Sequence, residues 1–166
     1  MAIILSIFSC HPGKDLFTVE QLDITRYAGT WYEIARLPNR FEKGLECVSA
    51  TYTLRDDGKI TVQNRGVSIE DHSKVSDIKG VAWVPDSSKP GQIKVQFFWP
   101  FAGKYWVIAL DENYNYALVG DPSRKFLWVL SKSKSLDEQI YDDLIKTAKK
   151  YGFAVEDVIK VNQSCE

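Results

Sequence analysis

The sequence predicts an all-β fold, an eight-stranded antiparallel up-and-down β-barrel with one C-terminal α-helix flanking its outside. Three observations predict it. Short stretches of alternating apolar and polar residues recur about every ten residues, divided by turn chemistry, which is the pattern of a sandwich or barrel. Eight such stretches run from Trp31 to Leu130, and eight strands can close into a barrel that holds one small ligand. A later segment then abandons the period of two for an apolar stripe at helical spacing.

In chain order, Leu22-Asp23-Ile24-Thr25-Arg26-Tyr27 reads as a short helical turn, and Gly29 lets the chain bend into a strand over residues 31–37. Trp31 opens that strand, where it can lie across the closed end of a barrel with its N–H free to find a partner. A long loop over 38–46 follows, and Cys47 opens a strand-like run that reaches Leu54. Asp56-Asp57-Gly58 is a hairpin signal leading into a strand over 59–64. Residues 85–91 separate strands over 75–84 and 92–99, and residues 111–115 separate strands over 105–110 and 116–120. Asp121-Pro122-Ser123 precedes the last barrel strand, over 126–130. Ser135 and Glu138 then form a capping box. Leu136, Ile140, Leu144, Ile145 and Ala148 make one helical stripe, which Gly152 ends. An edge strand over 158–161 follows.

At 166 residues the chain is one domain, long enough to bury roughly 68–70% of its unfolded surface. Hydrophobic content is 45% and aromatic content 13%, ample for a core or an apolar cavity. Basic and acidic residues balance at 21 and 22, which gives no electrostatic footprint for nucleic acid and no polybasic membrane patch. No run approaches the roughly 20 apolar residues of a membrane span. The N-terminus is different in character. Residues 2–9 form an apolar run that ends at Cys10, followed by the polar His11-Pro12-Gly13-Lys14. This looks like the end of a bacterial lipoprotein signal, in which the modified cysteine becomes the first mature residue. No basic residues precede it, and the expectation is that Met1 lies inside a longer signal. Residues 1–22 are therefore read as leader remnant and tail, and residues 23–166 as the barrel domain.

Period-two phasing from an inward Trp31 places Glu33, Ala35 and Leu37 inside the barrel. The other inward sets are Val48, Ala50, Tyr52; Ile60, Val62, Asn64; Ile78, Gly80, Ala82; Ile93, Val95, Phe97; Tyr105, Val107, Ala109; Ala117, Val119; and Phe126, Trp128, Leu130. Many are small, so they leave room. Apolar walls with a few convergent polar groups make the usual ligand pocket. The ligand-lining residues expected are Ala35, Leu37, Phe41, Ala50, Tyr52, Val62, Asn64, Ile78, Ala82, Val95, Phe97, Tyr105, Val107 and Trp128. Tyr52, Asn64 and Tyr105 could orient a polar head, and Arg40 or Lys43 in the 38–46 loop could neutralise a carboxylate or phosphate. Glu33 is an inward carboxylate in need of a partner, because a buried unpaired charge is costly. The run Phe97-Phe98-Trp99-Pro100-Phe101 has two open readings: alternate members line the cavity, or an apolar lip meets membrane lipid.

Three segments, Gly29-Thr30-Trp31-Tyr32-Glu33, Asp111-Glu112-Asn113-Tyr114-Asn115-Tyr116 and Leu127-Trp128-Val129-Leu130-Ser131-Lys132, resemble in this order the three signature regions of the lipocalins. The surrounding Tyr32-Glu33-Ile34-Ala35-Arg36 and Arg40-Phe41-Glu42-Lys43-Gly44-Leu45-Glu46 are similar to the bacterial lipocalin and apolipoprotein D branch. The resemblance implies structural roles for Gly29, Trp31, Asp111, Tyr114 and Lys132. The family usually carries an Arg at the last position, laid across the floor Trp. Lys132 keeps the charge and a cation–π contact but loses the planar stacking. The branch also pairs a cysteine just before the second strand with one near the C-terminus. That implies a Cys47–Cys165 disulfide, leaves Cys10 for lipidation, and points to an oxidising compartment.

Catalysis finds no support in these residues. His11 lies in the leader and His72 in a polar loop, with no metal-spaced cluster and no phosphate-cradling glycine loop. The reading is a non-enzymatic carrier without metal or cofactor. It binds, transports or stores a hydrophobic ligand in the cell envelope, which within this branch the resemblance makes a fatty acid or lysophospholipid. The expected location is the outer membrane, periplasmic face, anchored through Cys10; a secreted protein is the alternative. A homodimer is left open. So are a structural envelope lipoprotein with a filled barrel and an enzyme on the same fold.

Overall fold

The computed structural model describes residues 15–165. Eight strands form the barrel: β1 (Gly29–Arg36), β2 (Leu45–Leu54), β3 (Ile60–Ser68), β4 (Val75–Trp83), β5 (Gln92–Phe98), β6 (Phe101–Leu110), β7 (Tyr116–Gly120) and β8 (Leu127–Ser131). Each pairs antiparallel with the next, and β1 pairs with both β8 and β2, which closes the sheet. Closure removes the free edges that an open sheet would expose. A short β9 (Ile159–Lys160) adds to the far end of β1. The expected eight-stranded antiparallel barrel is what the chain forms.

Several element ends differ from the sequence pattern: β3 runs four residues further, to Ser68, and β2 begins at Leu45 inside the expected loop. β6 starts at Phe101, four residues ahead of the expected strand, so β5 and β6 make a tall hairpin that turns at Trp99-Pro100 through a cis peptide bond. The helix α2 (Glu138–Lys150) is capped by Asp137, whose Oδ1 accepts from the amides of Gln139 and Ile140. Ser135 is not the cap; its carbonyl accepts from the Ser131 hydroxyl instead. Asp137 wins because an N-cap carboxylate reaches the second and third amides and also meets the positive end of the helix. Gly152, at φ +84°, ends the helix as expected.

Two apolar cores share the wall of the barrel. The inner core gathers Trp31, Tyr52, Ile60, Val62, Ala82, Ile93, Val107, Ala117, Val119 and Leu130 around Tyr27 of α1 (Ile24–Tyr27). The outer core lies beneath α2, where Leu144 and Ala148 pack on Ile108, Leu118, Leu127, Val129 and Phe153. Leu16 is buried in this outer core, while Val19 and Leu22 pack on the inner one. The Val19 amide donates to the Val107 carbonyl. The segment ahead of residue 23 thus packs against the barrel. Cys10 and the apolar run ahead of it lie outside the described residues.

Register shifts fall at Glu33/Ala35, Glu46/Ser49, Val95/Phe98 and Val107/Ala109, and the first and last of them change which residues face inward. On β1, Glu33 pairs with Leu130 and Ala35 with the very next residue, Val129, so Ile34 is extra. On β6, Val107 pairs with Val119 and Ala109 with Leu118, so Ile108 is extra. An extra residue reverses the inside–outside phase of everything after it. Ala35, Leu37 and Ala109, inward by simple alternation, therefore pack in the outer core against α2. Arg36 and Leu110 take up the inward phase in their place.

Candidate ligand-binding site inside the barrel

The closed end is a layered plug. Trp31, fully buried, donates from Nε1 to the Tyr27 carbonyl at 2.7 Å. Lys132 sits with Nζ 4.5 Å from the Trp31 ring and donates to the Ala28 carbonyl at 2.5 Å. Gly29, at φ +94°, is what permits this approach, since a β-carbon there would lie 3.3 Å from Nζ. Burial lowers the Lys132 pKa. Asp111 accepts from both the amide and the side chain of Asn115, shaping the loop that carries Tyr114. The Tyr114 hydroxyl accepts from the Asp23 amide, and Arg26 lies over its ring at 4.2 Å. Gly29, Trp31, Asp111, Tyr114 and Lys132 thus converge on one end of the barrel, far from any ligand entrance.

Directly above the plug stands a cluster of three tyrosines. Tyr105 bonds through its hydroxyl to Tyr27 at 2.7 Å and accepts from Tyr52 at 2.9 Å. Burial pushes all three phenols above their ordinary pKa, so they stay neutral hydroxyls. The sequence pattern picks out Tyr52 and Tyr105 but not Tyr27, which approaches from the helical turn rather than from a strand.

The walls then divide by height. Val62, Ala82 and Val107 are fully buried in the packed lower half. Ala50, Asn64, Ile78, Val95, Phe97 and Trp128 also face inward yet stay partly exposed. Gly80 does not add room: a β-carbon there would come within 2.7 Å of the Phe97 ring, which already covers it. Ala50, Asn64 and Ile78 form one cross-strand row of the inner wall, on the mouth side of the fully buried layer.

Polar groups at the mouth are organised by Arg36, which strand alternation points outward. Its Nη1 meets Glu33 Oε1 at 2.6 Å, and its Nη2 donates to the carbonyls of Glu42 and Leu45. Glu33 thereby has the partner that an inward carboxylate requires. Burial and then the nearby Glu42 charge hold its pKa well above the ordinary value. Glu42 accepts from Trp128 Nε1 at 3.0 Å and from Asn39 Nδ2. The one sequence signal for Arg36 is an acid–base pair three apart within an apolar strand.

Phe41 stacks on Phe126, which stacks in turn on Trp128, with centroids 6.2 and 5.8 Å apart. Arg40 caps this ladder at 4.8 Å from the Phe41 ring, and Lys43 is exposed beside it. The same end of the barrel carries Phe41 at 62% exposure, and Phe98 at 64%, Trp99 at 86% and Phe101 at 78% on the β5–β6 hairpin. Behind the mouth, Cys47 and Cys165 form the expected disulfide, with α-carbons 6.1 Å apart. Among the described residues no cluster of His, Cys, Asp or Glu is placed to hold a metal ion, and His72 Nε2 lies 2.6 Å from Glu46 Oε1. Among the described residues no helix is long and apolar enough to cross a membrane.

Comparison with known proteins decides the family. Residues 22–163 match the model of the lipocalin-like domain. The chain is a lipocalin. It is 41% identical to the outer membrane lipoprotein Blc of Citrobacter freundii over 161 residues, covering 97% of this chain and 90% of that protein. It is 35% identical to apolipoprotein D of Macaca fascicularis over 133 residues, covering 75% of this chain and 68% of the other. Insecticyanin from the tobacco hornworm Manduca sexta has the same fold, with a TM-score of 0.72 and 28% identity across 89% of this chain and 84% of that one. Family membership implies a hydrophobic ligand, and lipocalins are typically binding proteins rather than enzymes.

Proposed function

We propose that this lipocalin binds a fatty acid or lysophospholipid in the open upper half of its barrel and carries or stores it in the cell envelope. The observation that supports this most directly is the partly exposed inner wall of Ala50, Ile78, Val95 and Phe97, apolar and shielded from bulk solvent by the closed sheet. Each methylene buried against such a wall is worth about 0.8 kcal/mol. Ordering of the chain and of the mouth offsets much of that gain. Arg40 and Lys43 lie where a carboxylate or phosphate would emerge.

The exposed Phe41, Phe98, Trp99 and Phe101 suit a mouth held close to lipid. Lipidation of Cys10 would hold it there, on the periplasmic face of the outer membrane. The Blc relatives are outer membrane lipoproteins by name, which supports this placement.

Mass spectrometry of protein extracted under native conditions tests the carriage reading: co-purifying acyl lipid is expected. An empty barrel that takes up no fluorescent fatty acid would leave a structural envelope protein. The anchor has its own test. The full-length product should be processed at Cys10 and partition with membrane, and the Cys10→Ser form should not; a mature start well past Cys10 would remove the anchor.

A further inference from the structure

The outer face of the barrel carries a groove of about 360 Å³, unconnected with the inner wall. Val81 and Trp83 of β4, Gln96 of β5, and Arg55 and Lys59 of the turn between β2 and β3 line it. Alternation explains the floor: Ala82 points into the inner core, so Val81 and Trp83 point out, and both stay half-exposed. An outward tryptophan offers a flat apolar face and an indole N–H at once. Trp31 and Trp128 donate that N–H within the barrel, whereas Trp83 makes no hydrogen bond among the described residues.

The groove continues as a line of cations. Trp83 stands opposite Lys94, and Lys94 opposite Lys104, with both lysines exposed. Like charges directly opposite on neighbouring strands destabilise a sheet. Neither lysine has an ion-pair partner among the described residues, whereas Lys146 of α2 and Lys160 of β9 each have one. At the other end of the line, Asp57 accepts two bonds from the Arg55 guanidinium and one from the Lys59 amide, which fixes the turn. Asp56 lines a separate hollow with Leu54, Arg55 and Asp57. Four cations thus border the line against one carboxylate, in a chain whose 21 bases and 22 acids balance.

We infer that this wall binds an acidic glycan, laid across the strands from the β2–β3 turn to β6. An acyl chain would strip water from a charged rim in exchange for a floor of two apolar side chains. A simple inorganic anion has no use for Trp83 and Val81. A pyranose presents an apolar C–H face that stacks on an indole, and hydroxyls that the Gln96 amide and the Trp83 N–H meet. Carboxylates along the chain meet Arg55, Lys59, Lys94 and Lys104. Neighbouring strands lie about 4.7–4.9 Å apart, close to the advance of a glycan per ring, so successive charged sugars face successive strands. A flat bilayer touches a convex wall along a narrow strip, whereas a flexible chain follows the curve. The site is independent of whatever occupies the barrel.

The probe is hexagalacturonic acid, which carries a carboxylate on every ring, titrated calorimetrically against the whole protein with tryptophan fluorescence in parallel. It should bind, more weakly as salt rises, and shift the fluorescence. Neutral maltohexaose should bind at least roughly tenfold more weakly. The double variant Lys94→Gln, Lys104→Gln should lose roughly tenfold in affinity for the acidic chain, with its melting temperature unchanged or raised because two opposed like charges are gone. Trp83→Leu should lose affinity and the fluorescence shift; should it fail to fold, the lysine variant decides alone. No binding of hexagalacturonic acid by the wild type overturns the site, as does equal binding of the neutral chain. Affinity retained by the double variant also overturns it. Affinity untouched by Trp83→Leu reduces the wall to a charged patch and overturns it as well. Vesicles of phosphatidylcholine with phosphatidylglycerol form the last arm: if the double variant loses vesicle binding and the acidic chain never binds, the surface belongs to lipid and the glycan site falls.

Discussion

Glu33 and Arg36 meet inside the barrel at 2.6 Å although they stand three residues apart on one strand. An odd separation on a regular strand sends two side chains to opposite faces. The bulge at Ile34 cancels that rule. Arg36 then ties the mouth loop to the wall through the Glu42 and Leu45 carbonyls, so one extra residue on β1 both builds an ion pair and fastens a loop.

That pair makes stability depend on pH in a definite direction. Burial, then the Glu42 charge, raises the folded-state pKa of Glu33 well above its ordinary value of 4.5. Its contribution is full below that ordinary value and is lost as pH rises through the raised one. Gln imitates the protonated form and cannot ionise. The melting temperature of Glu33→Gln minus that of wild type should therefore grow more positive between about pH 5 and pH 8. A flat or falling difference would show that Arg36 keeps Glu33 ionised throughout.

Two alanines on the inner wall should respond differently to enlargement. Ala50 is partly exposed on the inner wall, whereas Ala82 is buried in the packed lower core. Ala50→Phe should fold with little loss of stability and bind a fluorescent fatty acid at least roughly tenfold more weakly, about 1.4 kcal/mol. Ala82→Phe should destabilise by about 1–3 kcal/mol through overpacking. Thermal melts and titrations on both variants check this; equal destabilisation would mean the upper half is filled as well.

At the closed end, Lys132→Met keeps most of the side-chain volume but loses the bond to the Ala28 carbonyl and the charge over Trp31. The expected cost is about 1–2 kcal/mol, readable as a lower urea midpoint with an unchanged slope. No change would make Trp31 packing alone sufficient.

Reduction of Cys47–Cys165, two cysteines 118 residues apart in sequence, frees the C-terminal strap. The strap keeps other ties, because Gln163 donates to the Glu33 and Val48 carbonyls and the Cys47 amide to Asn162. The loss should be about 2–4 kcal/mol without unfolding the barrel. Peptide mapping under non-reducing conditions should find these two cysteines joined; a bridge from Cys10 to either would overturn the pairing.

Much of this architecture is written locally. The alternation from Trp31 onward, the turn residues between strands and the stripe from Leu136 to Ala148 each depend on neighbours a few positions away. So do the three signature segments, which is why the family, the closed-end residues and the disulfide partners can be read before any contact is known. The wall residues Asn64 and Ile78 were legible because β3 and β4 pair without a register shift, and Ala50, Val95 and Phe97 keep the phase of simple alternation despite shifts at Glu46/Ser49 and Val95/Phe98.

Tertiary structure decided the rest. Whether Ile34 pairs or bulges depends on elements distant in sequence: the Val161 amide takes up the Ile34 carbonyl, and α2 receives Ala35 and Leu37 once the phase has reversed. The same holds for Ile108, which packs against Phe153 beyond the helix, and for Tyr27, which reaches Tyr105 from across the barrel floor. A bulge costs one ladder position locally and is repaid by burial elsewhere, so its placement is settled by which face finds a partner. Local pattern determined that this chain closes into a barrel; long-range packing chose which side chains look into it.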